Sequence, residues 1–282
     1  MMGSSSRGLR AAGLALGLLG ATMAGPPAGA AVPGAEYVAL GDSGAATTGV
    51  VALDTGAPLQ CARSTVNTPA LVARELGLRL DDRTCSSARL KDLTTSQGPG
   101  IAPQFDALGP ATRLVTVHIG ANDAEFTRHI VACHVADASG GACAEPAWDA
   151  EIDTVAASYG AALRRISALA PDAAVFVDGW PVYTEGETCA AMTGLRRGGA
   201  ARIQAAFDRL NTVVAAQAAL HGATYVDTQG AARGHGMCAP AGSRWFEPVI
   251  ADRTLVPYHP TVEGMRGVAE VTVAAIRSSG VL

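Results

Sequence analysis

The chain has 282 residues, of which 49% are apolar, 16% charged and 5% aromatic, and its formal net charge is −4. That balance excludes a disordered chain and is enough to bury one large core. It also argues against a nucleic-acid partner, because docking to phosphates needs clustered cations. Here Lys91 is the sole lysine, and pairs such as Arg164-Arg165 and Arg196-Arg197 read as solvated faces.

Residues 1–31 read as a signal peptide. Arg7 and Arg10 supply a positive start, residues 11–25 are apolar, and Ala28-Gly29-Ala30 offers the small side chains that a signal peptidase accepts. The apolar run is too short to span a hydrocarbon core of about 30 Å and lacks a stop-transfer flank, so no stable membrane anchor is expected. The mature chain should begin near Ala31 or Val32 and be secreted to the extracellular space. Residues 32–282 are expected to form a single domain, and a monomer.

Glu36-Tyr37-Val38-Ala39-Leu40, stopped by Gly41, reads as a buried strand followed by a loop that carries Ser43. Thr68-Pro69 predicts a helix start, with the threonine hydroxyl as cap and proline in the first turn, and Gly77 predicts its end. A strand is expected from Leu78 to Leu80 or just beyond. Residues 114–119 are β-branched and continuous, the clearest strand in the chain, and run into Gly120. Helical spacing covers residues 148–170 and 199–220, strands are expected over residues 174–177 and 223–226, and a last helix begins near Thr261. Strands alternating with helices predict a central parallel sheet in a three-layer α/β/α sandwich of flavodoxin-like type. Ligands of such sheets bind beyond the carboxyl ends of the strands. The loops to search are therefore Gly41-Asp42-Ser43, Cys85-Ser86-Ser87, Gly120-Ala121-Asn122-Asp123 and Gly179-Trp180-Pro181.

Six cysteines in an exported chain, Cys61, Cys85, Cys133, Cys143, Cys189 and Cys238, favour disulfides over free thiols. Cys133 and Cys143 bracket a Gly-rich stretch that looks like a stapled loop. A metal site recruiting His129 and His134 beside Cys133 is the weaker alternative, because no second cysteine stands at zinc-site spacing. No metal and no cofactor are expected.

Gly-Asp-Ser alone would arise by chance in about 7% of chains this long. Its position after a buried strand gives it weight, since the glycine lets the backbone bend and present the serine hydroxyl at the sheet's edge. The lipase signature G-x-S-x-G is absent, which disfavours an α/β-hydrolase elbow. Asn122, after a second parallel strand, could donate to an oxyanion; an ordinary capped turn is the blander alternative. His259, in Tyr258-His259-Pro260-Thr261 before the last helix, would be held at a loop able to reach the same edge. His118 and His235 read as structural, and Trp180 and Trp245-Phe246 as packing residues or as an acyl-pocket wall.

In this order the motifs resemble the SGNH (GDSL-type) hydrolases over essentially the whole mature chain. Gly41-Asp42-Ser43 is similar to the first family block, Gly120-Ala121-Asn122-Asp123 to the third and His259-Pro260 to the fifth. The resemblance implies a serine esterase or lipase with Ser43 as nucleophile and His259 as general base. It also implies an oxyanion hole made by the main-chain N–H groups of Ser43 and Ser87 with the Asn122 amide, and loop-ordering roles for Asp42 and Gly120. Loop proximity and the same resemblance suggest sequential disulfides, Cys61 with Cys85, Cys133 with Cys143 and Cys189 with Cys238.

Three positions depart from the family pattern. Gly44 replaces a leucine, Ser87 replaces a glycine, and Val256 stands where an aspartate would orient the histidine. A main-chain carbonyl of Val256 or Pro257 is therefore expected to hold His259, with Asp252 or Glu247 as the alternative acid. The substrate class implied is a lipid or acylated small molecule. Two other functions remain open: an inactive secreted binding protein on the same fold, or an esterase of acetylated polysaccharide.

Overall fold

Short apolar runs become five strands, β1 Tyr37–Gly41, β2 Leu80–Asp82, β3 Leu114–His118, β4 Ala174–Asp178 and β5 Thr224–Val226. In the computed structural model, which describes residues 1–2 and 31–281, they build one parallel sheet in the order β2-β1-β3-β4-β5. The signal peptide expected over residues 1–31 falls almost wholly outside the described residues.

Strand parity explains the three layers. Val38 and Leu40 point into one core with Val115, Val117 and Val177, whereas Tyr37 and Ala39 point into the other with Leu114, Phe176 and Val226. Successive side chains of a strand leave opposite faces, so a strand apolar at every position demands a cover on both sides. The first core is closed by α4 Ala147–Leu169 and α5 Arg197–Leu220, through Ile152, Leu163, Ile166, Ile203 and Leu210. The second is closed by α2 Thr68–Leu76 and α7 Val262–Ser279, through Val72, Val273 and Ile276. Each such aliphatic side chain contributes about 1.5–3 kcal/mol by leaving water.

Two expectations need adjustment. The strand expected from Leu78 to Leu80 or just beyond is Leu80–Asp82. It is an edge strand, so it can carry acids, and Asp81 is paired there with Arg83. The cap of α2 is Asn67, whose side chain accepts from the Ala70 N–H at 2.9 Å, and Thr68 is the first helical residue. A helix not anticipated, α3 Phe126–Ala138, follows β3. The cap of α7 is Thr261, accepting from the Gly264 N–H at 3.0 Å.

The cysteines join as Cys61–Cys85, Cys133–Cys143 and Cys189–Cys238, with no free thiol among the described residues. Each ties a loop, not a strand. No helix among the described residues is long and apolar enough to cross a membrane.

The strand order places a topological switch at β1 and β3, whose outgoing connections diverge to opposite faces and open a crevice at their carboxyl ends. The serine turn follows β1 and the Asn122 turn follows β3.

Candidate active site

The serine turn is fixed by its own backbone. Gly41 is clamped by the buried Gln104, whose Oε1 accepts from the Gly41 N–H at 2.8 Å and whose Nε2 donates to the Gly41 carbonyl at 2.9 Å. A Cβ at Gly41 would stand 2.8 Å from both the Ala45 Cβ and the His118 carbonyl oxygen, which accounts for the glycine. Asp42 then caps the short helix α1 Ser43–Ala46, accepting from the Gly44 N–H at 2.9 Å, and its own N–H donates to the His118 carbonyl at 3.0 Å. Burial pushes the Asp42 carboxyl up from its ordinary pKa, against the opposing pull of His118 and the Gly44 N–H. Ser43 is the first residue of α1, so its N–H has no helical acceptor and is free to face a ligand.

Past β3, Gly120 adopts a φ of 129°, a conformation that side chains rarely tolerate, and turns the chain back toward the sheet edge. Asn122 follows, and its Nδ2 donates one hydrogen to the Ala88 carbonyl at 3.0 Å. The bond fixes the amide and leaves its second hydrogen available. Asp123 accepts from the Leu90 N–H through both carboxylate oxygens, at 3.1 and 3.0 Å. Burial raises its pKa to about 6, in spite of that bond and of Arg89.

His259 is carried by a two-stranded turn. The Glu247 N–H donates to the His259 carbonyl at 3.0 Å, the Tyr258 N–H to the Glu247 carbonyl at 2.8 Å and the Thr261 N–H to the Trp245 carbonyl at 2.9 Å. Tyr258 takes a left-handed φ of 61°, and its hydroxyl meets His134 Nε2 on α3 at 2.7 Å. The His259 Nδ1 lies 2.9 Å from the Pro257 carbonyl oxygen. A carbonyl can only accept, so Nδ1 carries the proton and the neutral ring presents a lone pair at Nε2. The Val256 carbonyl instead accepts the His259 main-chain N–H at 3.4 Å. Burial lowers the His259 pKa below the ordinary histidine value, partly offset by the Pro257 carbonyl.

Neither alternative acid bonds the ring. Glu247 is fully buried and spends its carboxylate on the main-chain N–H groups of Arg253 and Thr254, at 2.8 and 2.6 Å, and on the Arg244 guanidinium at 3.0 Å. Asp252, nearer the surface, pairs with the same Nη2 of Arg244.

Ser43, Asn122 and His259 all line one cavity of about 70 Å³, together with Asp42, Tyr258 and Trp180. Ser87 is not among its lining residues; it is exposed and sits at φ 63°. The cavity's apolar wall was largely invisible in the sequence. Phe126 and Ile130 come from the unanticipated α3, and Phe207 from α5. Trp180 is held by an amide clamp like that on Gly41, the Asn211 side chain bonding both its N–H and its carbonyl, at 2.8 and 2.7 Å. Phe246 packs behind, stacked on Tyr183, and Trp245 lies against His235. Residues considered for a metal are dispersed. Cys133 is in a disulfide, His129 sits between Glu145 and Glu151 at 2.7 Å each, and His134 bonds Tyr258.

The chain is similar to known proteins along most of its length. Residues 39–266 match the GDSL-like lipase/acylhydrolase family. "Lipase 2" of Streptomyces coelicolor is 42% identical over 274 residues, which is 92% of each chain. The structure of a phospholipase A1 from Streptomyces albidoflavus superposes with a TM-score of 0.69 at 30% identity, covering 86% of this chain and 98% of that one. An extracellular lipase from Streptomyces rimosus gives 0.67 at 33% identity, covering 85% and 98%.

Proposed function

Because the chain belongs to the GDSL-like lipase/acylhydrolase family, we propose that this carboxylic ester hydrolase works through an acyl-enzyme on Ser43, with His259 as its general base. The supporting observation is the convergence of Ser43, Asn122 and His259 on one cavity, each from a different element. His259 Nε2 takes the Ser43 proton as Oγ attacks the ester carbonyl. The resulting oxyanion is received by the Ser43 N–H and the Asn122 amide, each such donor being worth about 3 to 4 kcal/mol in the barrier. The protonated histidine then gives its proton to the departing alcohol. Water, deprotonated by the same ring, returns the serine and releases the acid.

The Pro257 carbonyl takes the place of a triad carboxylate. It holds the tautomer and supplies no negative charge, so the reading is a Ser43–His259 dyad. Ser87 is retained as a third donor only through its main chain. The Phe126, Ile130 and Trp180 wall suits an acyl chain, and the lipase and phospholipase A1 relatives point to glycerol-based lipids as substrates. The three disulfides, the leader-like residues 1–31 and the extracellular Streptomyces rimosus lipase support export. A monomer is proposed in solution.

A fluorophosphonate probe is expected to label Ser43 alone, and Ser43→Ala to lower kcat by at least about ten-thousandfold with the fold retained. Labelling of another serine would overturn the assignment. A panel of p-nitrophenyl esters of rising chain length, run beside phosphatidylcholine and acetylated xylan, separates lipid from polysaccharide substrates.

A further inference from the structure

One buried histidine takes no part in the catalytic cavity yet touches the turn that carries the nucleophile. His118 ends β3 and is 7% exposed. Its Nδ1 lies 3.1 Å from the carbonyl oxygen of Asp178, the last residue of the neighbouring β4, and 3.1 Å from that residue's carboxylate. Its ring packs on Trp180 with centroids 4.6 Å apart. The opposite edge faces the serine turn. A Cβ placed on Gly44 would stand 2.6 Å from His118 Nε2 and 3.3 Å from Asp42 Oδ1, so ring and carboxylate flank the same glycine. Asp42 is buried, and its second oxygen, Oδ2, has no partner among the described residues.

We propose that His118 is a positioning residue for Ser43, held as an imidazolium between the carboxylates of Asp178 and Asp42 so that it braces the Asp42–Ser43–Gly44 turn from below. This rests on the assignment of Ser43 as nucleophile. Asp178 offers Nδ1 only acceptors, so Nδ1 carries a proton. A neutral ring would then leave the buried Asp42 carboxylate, across Gly44 from it, without a counter-charge. Two carboxylates buried together without a cation are costly, and the cost falls when a counter-charge lies between them.

Asp178 from β4, Thr68 from α2, Met265 and Val268 from α7 and Tyr183 from the β4–α5 connection line the small pocket with His118, and Asp42 from the serine turn stands across Gly44 from it. None is a lysine or arginine, which leaves the imidazole to supply the charge. Burial pulls the ring's pKa down, but Asp178 and Asp42 outweigh it and raise it to about 9. In return the cation opposes the upward push that burial exerts on Asp42. An ionised Asp42 is the acceptor that caps Gly44 and so orients Ser43.

The geometry also accounts for Gly44, where the family resemblance leads one to expect leucine: any Cβ there would displace the ring. Gly44 lines both the catalytic cavity and the smaller pocket beneath it, whereas His118 lines only the latter. Its effect on the reaction must therefore pass through the turn.

The first test is a titration of the wild-type protein labelled with ¹⁵N-histidine. Both ring nitrogens of His118 are expected to remain protonated at pH 8, with deprotonation near pH 9. A ring already neutral at pH 8 overturns the proposal, whatever the variants do and whether or not Ser43 proves to be the nucleophile. The second is the pH profile of kcat and KM for the wild type, Asp178→Asn and His118→Gln. The wild type is expected to lose kcat on an alkaline limb near pH 9 with KM unchanged. Asp178→Asn moves that limb to lower pH. His118→Gln removes it and lowers kcat by roughly ten- to a hundredfold at all pH, as expected for a misplaced nucleophile. An alkaline limb that stays in place in Asp178→Asn, or a loss in His118→Gln confined to KM, overturns the proposal. Failure of the fluorophosphonate to label Ser43 would instead overturn the nucleophile assignment.

Discussion

The two halves of the candidate site are built in different ways. Ser43 and Asn122 stand at the ends of adjacent parallel strands, where the sheet register sets their separation: Gly41 pairs with His118, and the two turns leave from that row. His259 belongs to no strand of the sheet. It is held by a turn whose backbone pairs with residues 245–247 and whose interior is filled by one carboxylate, Glu247. The sheet half inherits its precision from the core, and the histidine half depends on a local polar network. The two should therefore fail differently, one through chemistry and the other through stability.

The largest expected effect separates them most sharply. Glu247→Ala removes the buried partner of Arg244, leaving it only Asp252, and unbonds the main-chain N–H groups of Arg253 and Thr254, which should cost about 3–5 kcal/mol and lower the melting temperature, with kcat falling only as the turn loosens. Asp252→Ala removes the more exposed partner of the same arginine and should cost about 1 kcal/mol or less. Calorimetry checks both. If Glu247→Ala kept its stability while kcat fell a thousandfold, Glu247 would be acting on the histidine and the dyad would be replaced by a triad.

Asn122→Ala makes the opposite prediction for the sheet half. It should lower kcat by a factor on the order of a hundred or more with KM nearly constant, and lose only the bond to Ala88, about 1 kcal/mol. A fall confined to KM would mean that the amide binds ester and transition state alike.

The histidine half has its own pH signature. His259 acts as base only when neutral, and burial lowers its pKa by penalising the charged ring. The acid limb of kcat/KM should therefore lie below the ordinary histidine value of 6.5. A limb above 6.5 would imply a carboxylate close to the ring. Asp123, raised to about 6, titrates nearby, and Asp123→Asn shows which group sets the limb.

The same contrast governs what could be read from the sequence. β1 is short, apolar and ended by glycine, and β3 is β-branched and runs through Ile119 into Gly120, so the strands, the fold class and the placement of Ser43 and Asn122 follow from pattern. The helix α3 left no comparable signal. Val131 and Val135 on it are exposed, and it starts from a left-handed Glu125 without a side-chain cap. With α3 went the acyl wall of Phe126 and Ile130. Gln104 was equally hidden: its amide is sandwiched on Gly41 from sixty-three residues away, and no local rule marks such a contact. The roles of Glu247 and Asp252 also depended on geometry, because either could have folded toward His259 until Arg244 was seen between them.

The smallest expected effect lies at the rim of the sheet half. Ser87 stands where the resemblance calls for glycine, and its φ of 63° is left-handed. An L-residue there is strained by roughly 1–2 kcal/mol, whereas glycine adopts it freely but loses more backbone entropy on folding, roughly 0.5–1 kcal/mol. Ser87→Gly should therefore raise stability by about 1 kcal/mol or less. Its consequence for activity is more informative. If residue 87 contributes only a main-chain N–H, the serine side chain is a bystander, and Ser87→Gly and Ser87→Ala should both keep kcat within about twofold, a change of under 0.5 kcal/mol. The two variants differ in backbone freedom but share the loss of the hydroxyl. A fall in both would make the hydroxyl itself a donor to the substrate. A fall in glycine alone would mean that the strained conformation is what aims the N–H, and that the exposed loop after Cys85 moves onto the cavity when an ester is bound.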